Sequence, residues 1–572
     1  MNQEAQQTPG PERIDSLLTS KHSRAAFLRR LGTGGGLVLF GGVLGACGGG
    51  SRTGNDSESA ASGTSVAATS PLPGSTVEGG TLVFGVDSMT GNLEPGIFAT
   101  YADWMGIEMT ARGLTSSDFA TGEVKPALAE SWEVSPDGQV YTFLLRSGLT
   151  FHDGNPVTAQ DFERSWTRLV DSNDPSQAPG SFTAFSLLGV PVIKSFRAVD
   201  DLTFEVTLDG PDESFLARCS SIAGVVLSSK AIDEFGQEIG TNLVGCGPFR
   251  YSGYTQDQQA VFERFDGYYD GPPILDKVIF QIVPEPTALA TALEAGSIHA
   301  SNFNQLSSLE TVSSTLPVEM GKPYQSTFCW LNAAKESLSD LRVRQAFNYA
   351  IDRETVIAAG INGWGVQPAY LGRGVGIGYD PSLELDSTQN LEKARALVQD
   401  AGAEGTEIYI ISPNNRWWPA VGQIIEQNLE SVGLKARMEY LDQAAFSAKQ
   451  SAGEHDVALD SFTATIPDPD DAIRSVLYSP GFFSQAITGM YLVEDAAAKI
   501  DEMLVLVRQE SDQEKRKALY LELQRIAIDE IMVIAMLAYM PAPVAHQTSV
   551  TGLDIDSLGC YHAFFEKVAM AG

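Results

Sequence analysis

The residues best suited to chemistry in this chain form a run of carboxylates, Asp468, Asp470 and Asp471, around Pro469. Three clustered acids suggest calcium, but the run lacks the glycine and the distal glutamate of an EF-hand loop. A helix cap or loop role is the simpler reading. The six histidines are scattered, with no i, i+4 pair to hold a metal, and His152 and His562 read as structural. There is no G-x-S-x-G elbow, no H-E-x-x-H, no phosphate loop and no dinucleotide fingerprint. Two well-placed carboxylates would suffice for an extracellular glycoside hydrolase, which stands as the alternative from a different class. Neither an enzyme nor a bound cofactor or metal is expected.

Aromatic side chains on loops between strands and helices suit a ligand cleft instead. Trp417 and Trp418 follow a loop rich in Asn and Arg, and Trp364 sits in Gly363-Trp364-Gly365. Phe462 ends a strand just before the carboxylate run, and Tyr101 and Trp104 follow the first strand. Core packing is the competing role for each of them.

A different chemistry is expected at Cys47. Arg24, Arg29 and Arg30 precede an apolar stretch, Leu31 to Ala46, of about 16 residues. As a helix it would be roughly 24 Å long, short of the ~30 Å hydrocarbon core. It reads as a secretory signal over residues 1–46. Leu44-Gly45-Ala46-Cys47 resembles a bacterial lipobox, which makes Cys47 the lipidated first residue of the mature chain. Ser23-Arg24-Ala25-Ala26-Phe27-Leu28-Arg29 resembles a twin-arginine signal in which Ala25 replaces the second arginine. Residues 47–79, rich in Gly, Ser, Thr and Ala, are expected to be a flexible tether reaching roughly 30 Å.

Length and composition frame these sites. The chain has 572 residues, 43% hydrophobic, with 72 acids against 38 bases and a formal charge of -34. Such a surface repels nucleic acid and anionic lipid heads, so no nucleic-acid partner is expected and contact with a membrane would come through the anchor. Beyond Cys47 there are Cys219, Cys246, Cys329 and Cys560. They permit two disulfides in an exported protein, with three connectivities, or buried free thiols.

The elements that position these residues read as strand-rich first and strand–helix alternating later. Strands are expected at Thr81–Val86, Tyr141–Arg146, Thr203–Leu208, Val261–Phe265 and Lys277–Ile282. Asp153-Gly154 followed by Pro156 predicts a turn into a helix near Ala159. In the second half, Asp340 is the expected N-cap of a helix carrying Val343, Phe347, Ala350 and Ile351. Helices Leu391–Ala401 and Val421–Val432 should end at Gly402 and Gly433. Strands Glu407–Ile411, Ala436–Tyr440 and Val457–Phe462 alternate with them, as in an α/β lobe. Ser511-x-x-Glu514 predicts a capping box opening a helix with Leu519, Leu523, Ile526 and Ile531 inward.

Collinear motifs tie these elements together. Ala129-Glu130-Ser131-Trp132 leads into Ser135-Pro136-Asp137-Gly138, Phe151-His152-Asp153-Gly154 and Asp161-Phe162. Then follow Gly245-Cys246-Gly247-Pro248-Phe249, Tyr268-Tyr269-x-Gly271, Ala295-Gly296-x-Ile298, Asp340-x-Arg342-Val343-Arg344-Gln345-Ala346, Ala350-Ile351-Asp352-Arg353 and Asp468-Pro469-Asp470. From about Gly80 to the C-terminus the chain resembles the family 5 extracytoplasmic solute-binding proteins of ABC importers, the peptide/nickel-binding group. Arg342, Arg344, Asp352 and Arg353 are expected to form scaffold ion pairs.

The resemblance implies a two-lobed α/β clamshell of the type II periplasmic-binding-protein kind with an extra inserted subdomain. Lobe 1 would comprise residues 80–325 plus 541–572, with the insertion at about 113–236, and lobe 2 residues 326–540. It implies a monomeric receptor held outside the cell, partnered by permease and ATPase subunits, with an oligopeptide in the cleft. An oligosaccharide or a nickel chelate is the alternative cargo. Peptide-binding relatives place an aspartate after the cleft aromatic to pair with the α-ammonium. Here that position is Thr465, and Asp468 or Asp470 would have to substitute.

Overall fold

The computed structural model describes residues 76–572 except 98–99, 120, 171–173, 178–191, 303–307, 369, 372–375, 384–387, 542, 560–561 and 572. The expected signal, Cys47 and most of the tether lie outside the described residues, as does Cys560. Strands at Thr81–Val86, Thr203–Leu208 and Lys277–Ile282 have the bounds read from the sequence, and the others differ by one or two residues at an end.

Three larger sheets carry the molecule. The first has seven strands, in the order 318–320, 543–546, 300–302, 81–86, 277–282, 259–264 and 249–255. Its middle strands are parallel: Thr81–Val86 runs in register with Lys277–Ile282 and beside Ala300–Asn302. The second has five strands, in the order 435–441, 407–413, 457–463, 325–331 and 534–540. Its first three are parallel, and Gln325–Leu331 is antiparallel to both neighbours. Every residue of Gln325–Leu331 and Ile534–Met540 is buried; Ile534–Met540 reads as a continuous apolar run, whereas Gln325–Leu331 opens with the buried polar residues Gln325, Ser326 and Thr327. The chain crosses between these sheets twice, from Met320 to Gln325 and from Met540 to Pro543.

The third sheet, 129–134, 140–145, 203–208 and 193–198, is antiparallel and stands apart with its own core. Its two middle strands, Val140–Leu145 and Thr203–Leu208, alternate buried and open residues. Helix Ala159–Val170 packs Phe162 and Trp166 against Phe204 and Phe196. A buried ion pair, Arg168 to Glu94 at 2.7 and 2.8 Å, ties this helix to the loop after the first long strand.

The caps explain where helices start. Asp340 accepts from the Arg342 N–H at 2.8 Å and opens Leu341–Ala350, as expected. The later cap differs. Asp512, not Ser511, caps helix Gln513–Ile526, accepting from Glu514 and Lys515 N–H groups at 3.1 Å each. An aspartate one residue nearer reaches both orphan donors at once, so the serine is displaced.

The expected scaffold ion pairs need a similar correction. Arg342 pairs with Asp340. Arg344 instead donates to the carbonyls of Leu338, Ser339 and Ile531, and Arg353 to those of Asn348, Ile351 and Met536. Each is almost wholly buried, and burial lowers both guanidiniums to about 10. They staple turns to the strand region near residues 531–536 through its carbonyls. Cys219, Cys246 and Cys329 are buried free thiols. Among the described residues no helix is long and apolar enough to cross a membrane.

Candidate functional site

The carboxyl ends of parallel strands from two sheets meet at one place. Strand Thr81–Val86 delivers Asp87, and helix Tyr101–Thr110, capped by Thr100, begins with Tyr101. From the other sheet, strand Glu407–Pro413 leads into the loop that carries Arg416 and Trp417, and strand Val457–Thr463 ends at Thr463. Arg416 Nη2 reaches Asp87 Oδ2 at 2.9 Å, an ion pair between the two halves of the molecule. Arg416 holds a left-handed φ of 53°, a conformation that costs about 1–2 kcal/mol in a non-glycine residue. Burial raises the Tyr101 phenol above its usual value, with Thr463 and Arg416 opposing and Asp460 and Asp87 adding to the rise. These groups therefore share one electrostatic neighbourhood. A recess of about 20 Å³, room for one water, lies against Asp87, Tyr101, Met105, Pro284 and Asn302.

Several buried polar atoms here have no hydrogen-bond partner among the described residues. Trp417 is 7% exposed and its Nε1 donor is unmet. Gln325 Nε2 is also unmet among the described residues, and Gln325 faces Thr463, which interacts with the Tyr101 phenol, across adjacent strands. A buried unpaired donor costs roughly 1–3 kcal/mol, a cost that a water, an ion or a ligand group can offset.

The carboxylate run serves a different purpose. Asp468 caps helix Pro469–Leu477 and is gripped by Arg516 at 2.8 and 2.9 Å. Asp470 is fully buried between Arg474, at 2.8 and 3.0 Å, and Arg218 of the segment that follows the four-stranded sheet. Burial pushes the Asp470 carboxyl up, but Arg474 and Arg218 outweigh that and hold it well below the usual range. Asp471 accepts from the Thr465 N–H and hydroxyl at 2.6 and 2.9 Å. Thr465 is thus occupied, and neither Asp468 nor Asp470 is left to meet an ammonium. The reason is physical: a buried carboxylate needs a counter-ion, and the chain itself supplies Arg516 to Asp468 and Arg474 and Arg218 to Asp470.

The aromatic candidates divide. Tyr101 lies in the electrostatic reach of Arg416, the residue before Trp417, while Trp417 packs beside Trp418 in the core of the five-stranded sheet and Phe462 lies half-buried one residue before Thr463. Trp104 is 4% exposed in the core, its Nε1 donating to Glu108 at 3.1 Å and its ring edge-on to His562. Trp418 is 4% exposed at the start of helix Trp418–Ser431 and packs into the core of the five-stranded lobe. Trp364 packs half-buried on the same core, beside the bridge from Val366 to Tyr539. Arg416, Asp87, Gln325, Thr463 and Asp460 escaped the sequence reading. Arg416 alone had a usable signal, an arginine adjoining two flagged tryptophans. Among the described residues no group of three or more His, Cys, Asp or Glu side chains is placed to hold a metal.

Known proteins share this fold. The profile described as bacterial extracellular solute-binding proteins, family 5 Middle, matches residues 123–484. The dipeptide-binding protein of Escherichia coli is 26% identical over 521 residues, covering 86% of this chain and 95% of its own. Heme-binding protein A of Haemophilus influenzae is 26% identical over 453 residues, covering 75% and 80%. The periplasmic binding protein DppA of Helicobacter pylori, solved with the peptide STSA, superposes with a TM-score of 0.76 at 26% identity over 87% of this chain and 99% of that one. The fold is accordingly a two-lobed clamshell, and the relatives are extracytoplasmic transport receptors without enzymatic activity. This chain belongs to the family 5 bacterial extracellular solute-binding proteins.

Proposed function

We propose that the chain is the receptor of an ABC importer that captures a peptide or peptide-like ligand between its lobes and delivers it to permease and ATPase subunits. The observation that carries this reading is the pair of unmet buried donors among the described residues, Trp417 Nε1 and Gln325 Nε2, together with the Arg416–Asp87 pair. A ligand carboxylate can take Arg416 in exchange for Asp87, while amide groups meet the unmet side chains. Stacking of an oligosaccharide on Trp417 or Trp418 is disfavoured because both rings are buried. The lobes of this reading are residues 80–325 with 541–572 and residues 326–540, with the insertion at about 113–236. The two crossings between sheets support that division. The test is mass spectrometry of ligand released from natively purified protein, followed by calorimetry with trialanine and its C-terminal amide. Binding of the free acid, weakened at least tenfold by amidation and by Arg416→Ala, is expected. Equal binding of acid and amide overturns the role of Arg416.

We further propose that Cys47 carries lipid and tethers a monomeric receptor to the membrane. A single acyl chain binds membranes only marginally, so stable anchoring requires more than one. Detergent partitioning of the parent and of Cys47→Ala decides it: the parent should enter the detergent phase and the variant should not. A parent that stays in the aqueous phase without added acyl mass overturns the anchor.

A further inference from the structure

Arg218 meets Asp470 inside a cluster of charges that joins two parts of the molecule. The chain leaves the seven-stranded sheet after Thr81–Val86 and returns to it at Phe249–Thr255, so the four-stranded sheet and the segment behind it, with Asp212 and Arg218, stand on that side. Asp470, Asp471 and Arg474 belong to helix Pro469–Leu477, which follows strand Val457–Thr463 of the five-stranded sheet. Asp212, Asp470, Asp471 and Arg218 are each at most 4% exposed, so water does not screen them from one another. Asp470 is bonded by both Arg218 and Arg474. Asp212 accepts from the Ser214 N–H and hydroxyl at 2.9 and 2.7 Å, as Asp471 does from Thr465, and these donors are neutral. Arg218 acts on all three carboxylates, and Arg474 on Asp212 and Asp470. The surroundings bring no positive excess. Arg516 is taken by Asp468 and Arg508 by Asp209, while Glu213, Glu510 and Tyr520 on the five-stranded flank and Tyr141 and Cys219 beside Asp212 are neutral or acidic. Three buried carboxylates thus share two guanidiniums, and an unbalanced charge in such a place is neutralised by a proton. Burial raises the Asp212 and Asp471 carboxyls above their ordinary value, with Arg218 opposing and Asp470 adding to the rise.

We propose that the lobes close with the uptake of one proton from solvent into this cluster, so that acid favours the closed form and alkali the open one. The proton belongs to the three carboxylates together and not to a single residue. On opening, Asp212 parts from Asp470 and Asp471, water reaches each carboxylate, and the proton leaves. Below the ordinary aspartate value of about 3.9 both forms hold the proton, and closure does not depend on pH. Above it the closed form alone holds the proton. Closure then weakens as the pH rises, by up to about tenfold in the closed-to-open ratio per pH unit. A ligand captured by closure is held more tightly in acid for the same reason, a consequence that rests on the receptor reading above.

The experiment is small-angle scattering of the full chain without ligand at pH 8 and pH 5, on the parent, Asp212→Asn and Asp471→Asn. The parent should be more compact at pH 5. Removing either carboxylate leaves two acids for two arginines, so each variant should keep the parent's compact radius at both pH values. That gain of closure at pH 8 is the opposite of what the loss of a merely structural bond gives. Asp266→Asn, at an exposed acid on the seven-stranded side, should keep the pH dependence of the parent. A parent radius equal at the two pH values, or a dependence that survives in both Asp212→Asn and Asp471→Asn, overturns the proposal. Should one variant fail to fold, the other carries the comparison, and the parent's own two radii need neither. No ligand enters these measurements, so their failure is distinct from a failure of the receptor reading.

Discussion

At the scale of single residues, burial decides what the charges do. Asp470 is wholly buried, with Arg218 and Arg474 as its partners. Asp470→Ala removes the carboxylate that both guanidiniums bond, leaving Asp212 as the nearby acid that still acts on the two. It should cost about 3–5 kcal/mol, read from urea unfolding monitored by fluorescence. His455 shows the opposite case. It is 0% exposed, and burial lowers its pKa to about 4 from the ordinary 6.5. Between those values the unfolded chain takes up a proton that the folded chain refuses. Stability therefore falls as the pH drops from about 6.5 to about 4, by at most about 1.4 kcal/mol per pH unit from this one group. Unfolding curves at pH 7, 5.5 and 4.5 should slope less in His455→Gln than in the parent, and parallel slopes would show that His455 does not carry the dependence. The sequence shows the lost charge at Thr465 plainly, since a residue type is visible without a fold. It does not show that Asp468 and Asp470 are occupied, because Arg516 and Arg218 lie about 48 and 252 positions away along the chain.

At the scale of elements, the legible parts are those set by local physics. Alternation marks Thr203–Leu208, and glycine at positive φ closes the helices before Gly402 and Gly433. The sequence blurs wherever a long-range partner settles the outcome. Arg344 and Arg353 are apt for ion pairs by type, but the fold presents them with carbonyls of the 531–536 region instead. The cap of helix Gln513–Ile526 is a local choice between two neighbours, and there the structure makes a sharp forecast. Asp512→Ala should cost about 1 kcal/mol, a loss of both cap bonds, whereas Ser511→Ala should be near neutral. Thermal melts of the two variants distinguish the caps, and a larger loss from Ser511→Ala would restore the capping box.

At the scale of the whole molecule, closure is a balance between links that span the lobes. Arg416 to Asp87, Arg218 to Asp470, Arg508 to Asp209 and the Glu213 N–H to the Arg508 carbonyl all bridge segments that the two crossings leave free to hinge. The Arg218–Asp470 link is buried, so opening must hydrate both ions and closing must strip them again. A ligand shifts the balance between open and closed lobes only by binding one state better than the other. Arg416 is suited to give that difference, since in the closed form it faces Asp87 and any ligand carboxylate must compete with it. Small-angle scattering should therefore show Arg218→Ala more expanded than the parent without ligand, and both compact to the same radius with saturating ligand. Equal radii without ligand would mean that Arg218 does not govern closure. Salt gives an independent check, because the chain as a whole carries -34 charges. Raising ionic strength from ~0.01 M to ~1 M cuts the Debye length from about 30 Å to about 3 Å, which quenches surface repulsion and leaves buried pairs nearly untouched. The melting temperature of the parent should rise by several degrees over that range, while the scattering radius stays unchanged. An expanding radius at high salt would show that the lobes are held by screened surface attraction and not by the buried arginine link.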